Sequence, residues 1–119
     1  MARAVLVVDD DALFRRLARG VLLAEGLDVV AEAESVATAI AAAHALRPDG
    51  ALVDIGLPDG DGVSLARALT ALPWRLRVVL TSNDPRAASD SDVRASGAGA
   101  FIPKDRLPNA PLERLLCGS

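Results

Sequence analysis

The chain has 119 residues, 51% of them hydrophobic and only three aromatic (Phe14, Trp74 and Phe101), so one domain over residues 1–119 must build its core from Val, Leu, Ile and Ala. A net charge of −3, with the arginines scattered among acids, excludes the basic footprint of a nucleic-acid binder. A single cysteine, Cys117, excludes an internal disulfide, and the chain has neither a basic-then-apolar leader nor an apolar stretch of the roughly 18–20 residues that cross a bilayer, so a soluble cytoplasmic protein is expected.

Ala4-Val5-Leu6-Val7-Val8 reads as a first strand that runs into Asp9-Asp10-Asp11. Leu13, Phe14, Leu17, Val21 and Leu22 then recur at three- and four-residue steps with Arg15, Arg16 and Arg19 between them, which predicts an amphipathic helix ending near Gly26. A strand over Leu27–Ala33 follows. Ser35 caps a second helix to about Leu46, and Pro48 marks its end. Ala51–Asp54 is the third strand. Gly56-Leu57-Pro58-Asp59-Gly60-Asp61-Gly62 is dense in turn formers and reads as a loop, with Gly60 and Gly62 serving backbone turns.

Leu65, Ala66, Leu69 and Leu72 mark a third helix broken at Pro73. Arg77–Ser82 is the fourth strand and Ala100–Pro103 the fifth. Between them Asp84-Pro85 starts a helix whose body, Ala87 to Val93, is poor in helix formers and is expected to be short and mobile. A last helix over Pro111–Cys117 buries Leu112, Leu115 and Leu116. Five β-α units with short connections make an α/β fold with a doubly wound parallel sheet and five helices.

Lys104 is the only lysine beside twelve arginines, and it follows the apolar run Ala100-Phe101-Ile102-Pro103. A lone ammonium on a flexible stem suggests work that a guanidinium cannot do. In the flavodoxin-like strand order 2-1-3-4-5, Asp9 and Asp10 close the strand beside the one that Asp54 closes, Thr81 lies one strand further, and Lys104 reaches in from two strands away. Three converging carboxylates without His or Cys call for a hard divalent cation such as Mg²⁺. With a lysine and a hydroxyl alongside, the pocket suits a transferring phosphoryl group and a carboxylate nucleophile, giving an aspartyl phosphate.

Val7-Val8-Asp9-Asp10-Asp11, Val53-Asp54-Ile55-Gly56-Leu57-Pro58, Asp61-Gly62, Leu80-Thr81-Ser82 and Phe101-Ile102-Pro103-Lys104 resemble, in order and over nearly the whole chain, the receiver domain of two-component response regulators. The resemblance implies that Asp54 is the phosphoacceptor. It implies Mg²⁺ on Asp10, Asp54 and the backbone carbonyl of Gly56, with Asp9 acting mainly through a bound water. Thr81 would be the switch hydroxyl, supported by Ser82, Lys104 the phosphoryl's salt-bridge partner, and Phe101 the aromatic switch. The implied partners are a sensor histidine kinase or phosphotransfer protein, and a downstream output protein or missing output domain on the face of helix four, strand five and helix five, with a homodimer also open. The resemblance implies no nucleic-acid or membrane partner for this chain alone, and self-phosphorylation and dephosphorylation rather than turnover catalysis.

The family often places Pro directly after the lysine, whereas here Pro103 precedes Lys104 and Asp105 follows it, so a cis Lys-Pro bond is impossible. The loop motifs are most similar to receivers that carry helix-turn-helix output domains. Two other functions fit parts of the pattern. A haloacid-dehalogenase-like phosphatase would use Asp9-Asp10-Asp11 as its nucleophile motif, but after Lys104 only Asp105 and Glu113 remain as acids for its metal. A phosphorylation-independent interaction module would keep the fold and have no need of the complete acidic set. Asp11 is expected to cap the first helix, Trp74 to pack half-buried, and His44 and Cys117 to carry no chemistry.

Overall fold

Alternation along the strands sorts the core into two layers. In a computed structural model describing residues 3–118, Leu6 and Val8 of β1 (Ala4–Val8) turn to one face of the sheet and Val5 and Val7 to the other. Leu6 and Val8 join Ala51 and Val53 of β3 (Gly50–Asp54) and Val78 and Leu80 of β4 (Arg77–Ser82). Ala39 and Ala43 of α2 (Val36–Leu46) and Leu65, Ala66 and Leu69 of α3 (Gly62–Thr70) cover that face. Val5, Val7, Leu52 and Val79 pack instead against Ala18 and Leu22 of α1 (Ala12–Ala24) and Leu112 and Leu116 of α5 (Leu112–Cys117). Both faces of the central strands are therefore dry, and each fully buried Leu or Val contributes about 1.5–3 kcal/mol.

Together with β2 (Asp28–Ala33) and β5 (Ala100–Pro103), these strands form one parallel sheet in the order β2-β1-β3-β4-β5, the predicted topology. Val8 lies opposite Ala33 and Val53, Asp54 opposite Thr81, and Thr81 opposite Ile102. This register brings the carboxyl ends of β1, β3, β4 and β5 to one edge, where doubly wound sheets bind ligands.

Local signals explain most boundaries. Asp11 caps α1 by accepting from Leu13 N, and Ser35 and Thr38 close a capping box on α2. The apolar face of α1 is turned from its expected setting: Ala18 and Leu22 are buried, while Leu13 and Leu17 are exposed.

Three local expectations need correction. Asp84-Pro85 closes a turn, with Ala87 N donating to Asp84 O, and the helix begins only at α4 (Asp90–Ser96), where Ser89 and Asp92 form a capping box. The Gly56–Gly62 loop contains a two-residue hairpin pairing Gly56–Leu57 with Gly60–Asp61. Between β5 and α5, Lys104–Asn109 winds as a 3-10 helix with Pro108 inside it, one helix more than the five expected.

Candidate functional site

β1 and β3 end side by side, so the residues that close them share one crevice. Asp9 is completely buried: its amide donates to Ala33 O, its Oδ1 accepts from Asp11 N at 2.9 Å, and its Oδ2 meets Lys104 Nζ at 2.7 Å. That Oδ2 has no well-directed hydrogen bond of its own. Asp10, one residue on, is exposed, and its side chain has no partner among the described residues. Asp54 is 8% exposed, with Oδ1 3.7 Å from Lys104 Nζ, an ion pair longer than a hydrogen bond. One oxygen from each of Asp9, Asp10 and Asp54 lies within 4.8 Å of the others.

Burial and then the neighbouring Asp9 push the Asp54 carboxyl up to about 6, against the downward pull of Lys104, and Asp10 adds to the rise. The pocket therefore holds more negative charge than one ammonium offsets. An oxygen-only donor set, a buried Asp9 oxygen without a directed hydrogen bond, and an Asp54 carboxylate whose ionised form is disfavoured by burial and by Asp9 all fit a hard divalent cation.

Lys104 spans the distance by lying over the ring of Phe14, with Nζ 4.2 Å from its centroid. Phe14 counted as a core residue of α1 in the sequence, and only the fold shows it seating the lysine. Thr81 is fully buried and its hydroxyl donates to Ile102 O at 2.7 Å, away from the carboxylates and across to β5. Ser82 Oγ accepts from Asp84 N and orders the turn after β4. Phe101 is half-buried in β5, packed against the core on one side and lining a surface hollow of about 560 Å³ with Arg106 and Pro111 on the other. The crevice thus gathers Asp9, Asp10, Asp54 and Lys104, while Phe101 stands apart at the sheet's far edge.

The glycines act differently from the expected turns. Neither Gly60 nor Gly62 has a positive φ. A Cβ on Gly62 would sink into the Asp54 carbonyl and come within 2.7 Å of Ile55 Cα, so glycine is required where α3 starts against the backbone of Asp54. Gly62 N also donates to Ile55 O at 2.8 Å. Gly56 adjoins the pocket: a Cβ added there would meet Asp54 Oδ2 at 4.0 Å. Asp59, from the same loop, crosses to α2 and accepts from Val36 N at 2.7 Å and Ala37 N at 3.1 Å, which holds its carboxyl below the usual range.

Trp74 is half-buried, with the Arg47 guanidinium 4.9 Å from its ring and His44 edge-on. Cys117 is unpaired, and burial pushes its thiol up. No helix among the described residues is long and apolar enough to cross a membrane.

A family model described as "response regulator receiver domain" matches residues 5–115. The DNA-binding transcriptional activator DevR/DosR of Mycobacterium tuberculosis is 39% identical over 102 residues, covering 85% of this chain and 47% of that protein. The chain thus spans about half the length of that relative. The chemotaxis protein CheY of Bacillus subtilis is 30% identical over 115 residues, 97% of this chain and 96% of that one. Among solved structures, a CheY-like receiver domain protein from Methanospirillum hungatei superposes with a TM-score of 0.80 at 26% identity, covering 96% of this chain and 90% of that one.

Proposed function

The chain belongs to the response regulator receiver domains, and from that premise we propose that Asp54 accepts a phosphoryl group from the phosphohistidine of a sensor histidine kinase or phosphotransfer protein. A carboxylate oxygen of Asp54 bonds to phosphorus as the bond from phosphorus to the imidazole nitrogen breaks, and the departing imidazole takes a proton from solvent. The observation that carries this is the convergence of Asp9, Asp10 and Asp54 on one point, with the lone lysine bridging the first and last of them.

Asp10, Asp54 and the carbonyl of Gly56 would hold Mg²⁺ directly, and Asp9 through water. Bound there, the ion supplies charge neutralisation and alignment of the phosphoryl oxygens. Lys104 then leaves Asp9 for the new dianion, which its flexible stem permits. The Thr81 hydroxyl exchanges the Ile102 carbonyl for a phosphoryl oxygen, and β5 loses a tie to β4 next to Phe101. The result is a population shift on the face of α4, β5 and α5, read by an output protein, an appended output domain or a second copy of the chain. Similarity to a transcriptional activator longer than this chain supports an output partner. One label per molecule rather than turnover, a single domain over 1–119 and a cytoplasmic setting complete this reading.

Incubation with Mg²⁺ and acetyl phosphate followed by intact mass measurement tests it. Wild type gains the mass of one phosphoryl group and Asp54→Asn gains none; wild type without any gain overturns it.

A further inference from the structure

Arg15 lies outside the acidic pocket, yet its guanidinium reaches the strand end that carries it. Nη1 donates to the carbonyl oxygen of Asp9 at 2.7 Å, and Nε donates to Glu32 Oε1 at 3.0 Å. Glu32 Oε2 is in turn gripped by Arg19, through Nε at 3.1 Å and Nη2 at 2.9 Å. The register of β1 and β2, with Val7 opposite Glu32, sets this acid beside the first turn of α1. The Arg15 side chain is only 17% exposed, so these contacts hold it in one place.

The Asp9 carbonyl belongs to the peptide that joins Asp9 to Asp10, and a peptide is a rigid plane. Asp9 needs no help from it, since its carboxylate is tied to Asp11 N and Lys104. The Asp10 side chain is exposed and makes no hydrogen bond or ion pair among the described residues, so the backbone that carries its Cα, and not a side-chain contact, sets the place from which its carboxylate reaches the site. We propose that Arg15 is a positioning residue of the acidic site: by pinning the Asp9–Asp10 peptide it keeps the Asp10 carboxylate converged on Asp54, and Glu32 offsets part of the charge that would otherwise repel a cation.

This rests on reading Asp9, Asp10 and Asp54 as a divalent-cation site, and it makes a prediction of unexpected sign. A cation close to a metal site weakens metal binding by simple Coulomb repulsion, so deleting Arg15 on charge grounds alone would tighten it. Positioning demands the opposite.

Calorimetric titration of the full chain with Mg²⁺ alone, without phosphodonor, separates the two. Arg15→Ala weakens Mg²⁺ binding about tenfold, the low end for an outer partner of a metal ligand. Arg15→Lys falls between it and wild type, because an ammonium can still donate to the Asp9 carbonyl but cannot fork to Glu32 as well. Arg19→Ala, which loosens Glu32 without touching Asp9, binds as wild type does. Circular dichroism checks the folding of each variant, and Arg15→Lys carries the test alone if Arg15→Ala does not fold. Binding by either Arg15 variant at least as tight as wild type overturns the proposal, as does equal weakening in Arg19→Ala. A wild type that binds no Mg²⁺ overturns it together with the cation site, whereas tight wild-type binding unaltered in the Arg15 variants overturns this inference alone.

Discussion

Lys104 Nζ stands 2.7 Å from Asp9 Oδ2 and 3.7 Å from Asp54 Oδ1, so the chain's one lysine is held most closely by the fully buried carboxylate that follows β1. Removing it strands that carboxylate in a dry site. Lys104→Met is expected to cost about 3 kcal/mol at neutral pH, the scale for breaking a buried pair from one side. Urea unfolding without metal measures this, and added Mg²⁺ recovers part of the loss by replacing the missing positive charge. A variant as stable as wild type without metal contradicts the pairing.

Asp54 makes stability depend on pH in a direction opposite to most acids. Burial pushes its folded-state carboxyl up to about 6, above the ordinary aspartate value, so the folded protein binds the proton more tightly than the unfolded chain does. Any contribution of this group is therefore full below the unfolded value and is lost as pH rises through about 6, after which ionised Asp54 opposes folding. At about 1.4 kcal/mol per tenfold change in proton affinity, the opposition is on the order of 2–3 kcal/mol. Asp54→Asn should thus be more stable than wild type at pH 8 without Mg²⁺, with the advantage gone near pH 4. Thermal melts across that range check it, and equal melting of the two proteins at pH 8 contradicts it.

Gly62 bears on the site through the backbone. A methyl group there meets the Asp54 carbonyl and Ile55 Cα, so Gly62→Ala must push α3 away from the end of β3. The expected cost is about 1–3 kcal/mol, as for other overpacked positions, together with slower labelling by acetyl phosphate. Denaturant unfolding and labelling kinetics measure both effects. Gly56→Ala, whose added carbon meets only Asp54 Oδ2 at 4.0 Å, should be milder in stability.

Much of the architecture was legible because it rests on local pattern. The apolar runs of β1, β3 and β4 are buried on both faces and needed no alternation to be recognised, while Asp11 and Ser35 announced their helices as caps. The strand order followed from asking where Asp9, Asp54 and Lys104 could meet. Helix α4 was misplaced because Asp84-Pro85 suits a turn as well as a helix start, and the Ser89–Asp92 pair was the better signal. Arg15 and Phe14 were out of reach for another reason. Their roles depend on β2 delivering Glu32 and on the chain after β5 returning Lys104 over α1, and both are long-range consequences of packing. The side on which the Thr81 hydroxyl bonds is a rotamer choice that no spacing encodes.

Asp59 ties the loop after Asp54 to the start of α2, and its carboxyl is held below the usual range by the Val36 and Ala37 amides. Because the folded state favours the ionised form, this stabilisation is present above the unfolded value and is lost as pH falls through the lower folded one. Asp59→Ala should melt earlier than wild type at pH 7, with the gap narrowing in acid. The Val36 and Ala37 amides should exchange faster with deuterium in the variant. Unchanged exchange at both amides contradicts the tie.

The central claim concerns one carboxylate among three that lie within 4.8 Å, so the decisive measurement must locate the label by residue. Protein phosphorylated with acetyl phosphate and Mg²⁺ is reduced with sodium borohydride, which converts an aspartyl phosphate to homoserine, and its peptides are sequenced by mass spectrometry. The account predicts homoserine at position 54 alone. Homoserine at position 9 or 10, or at none of the three, contradicts it.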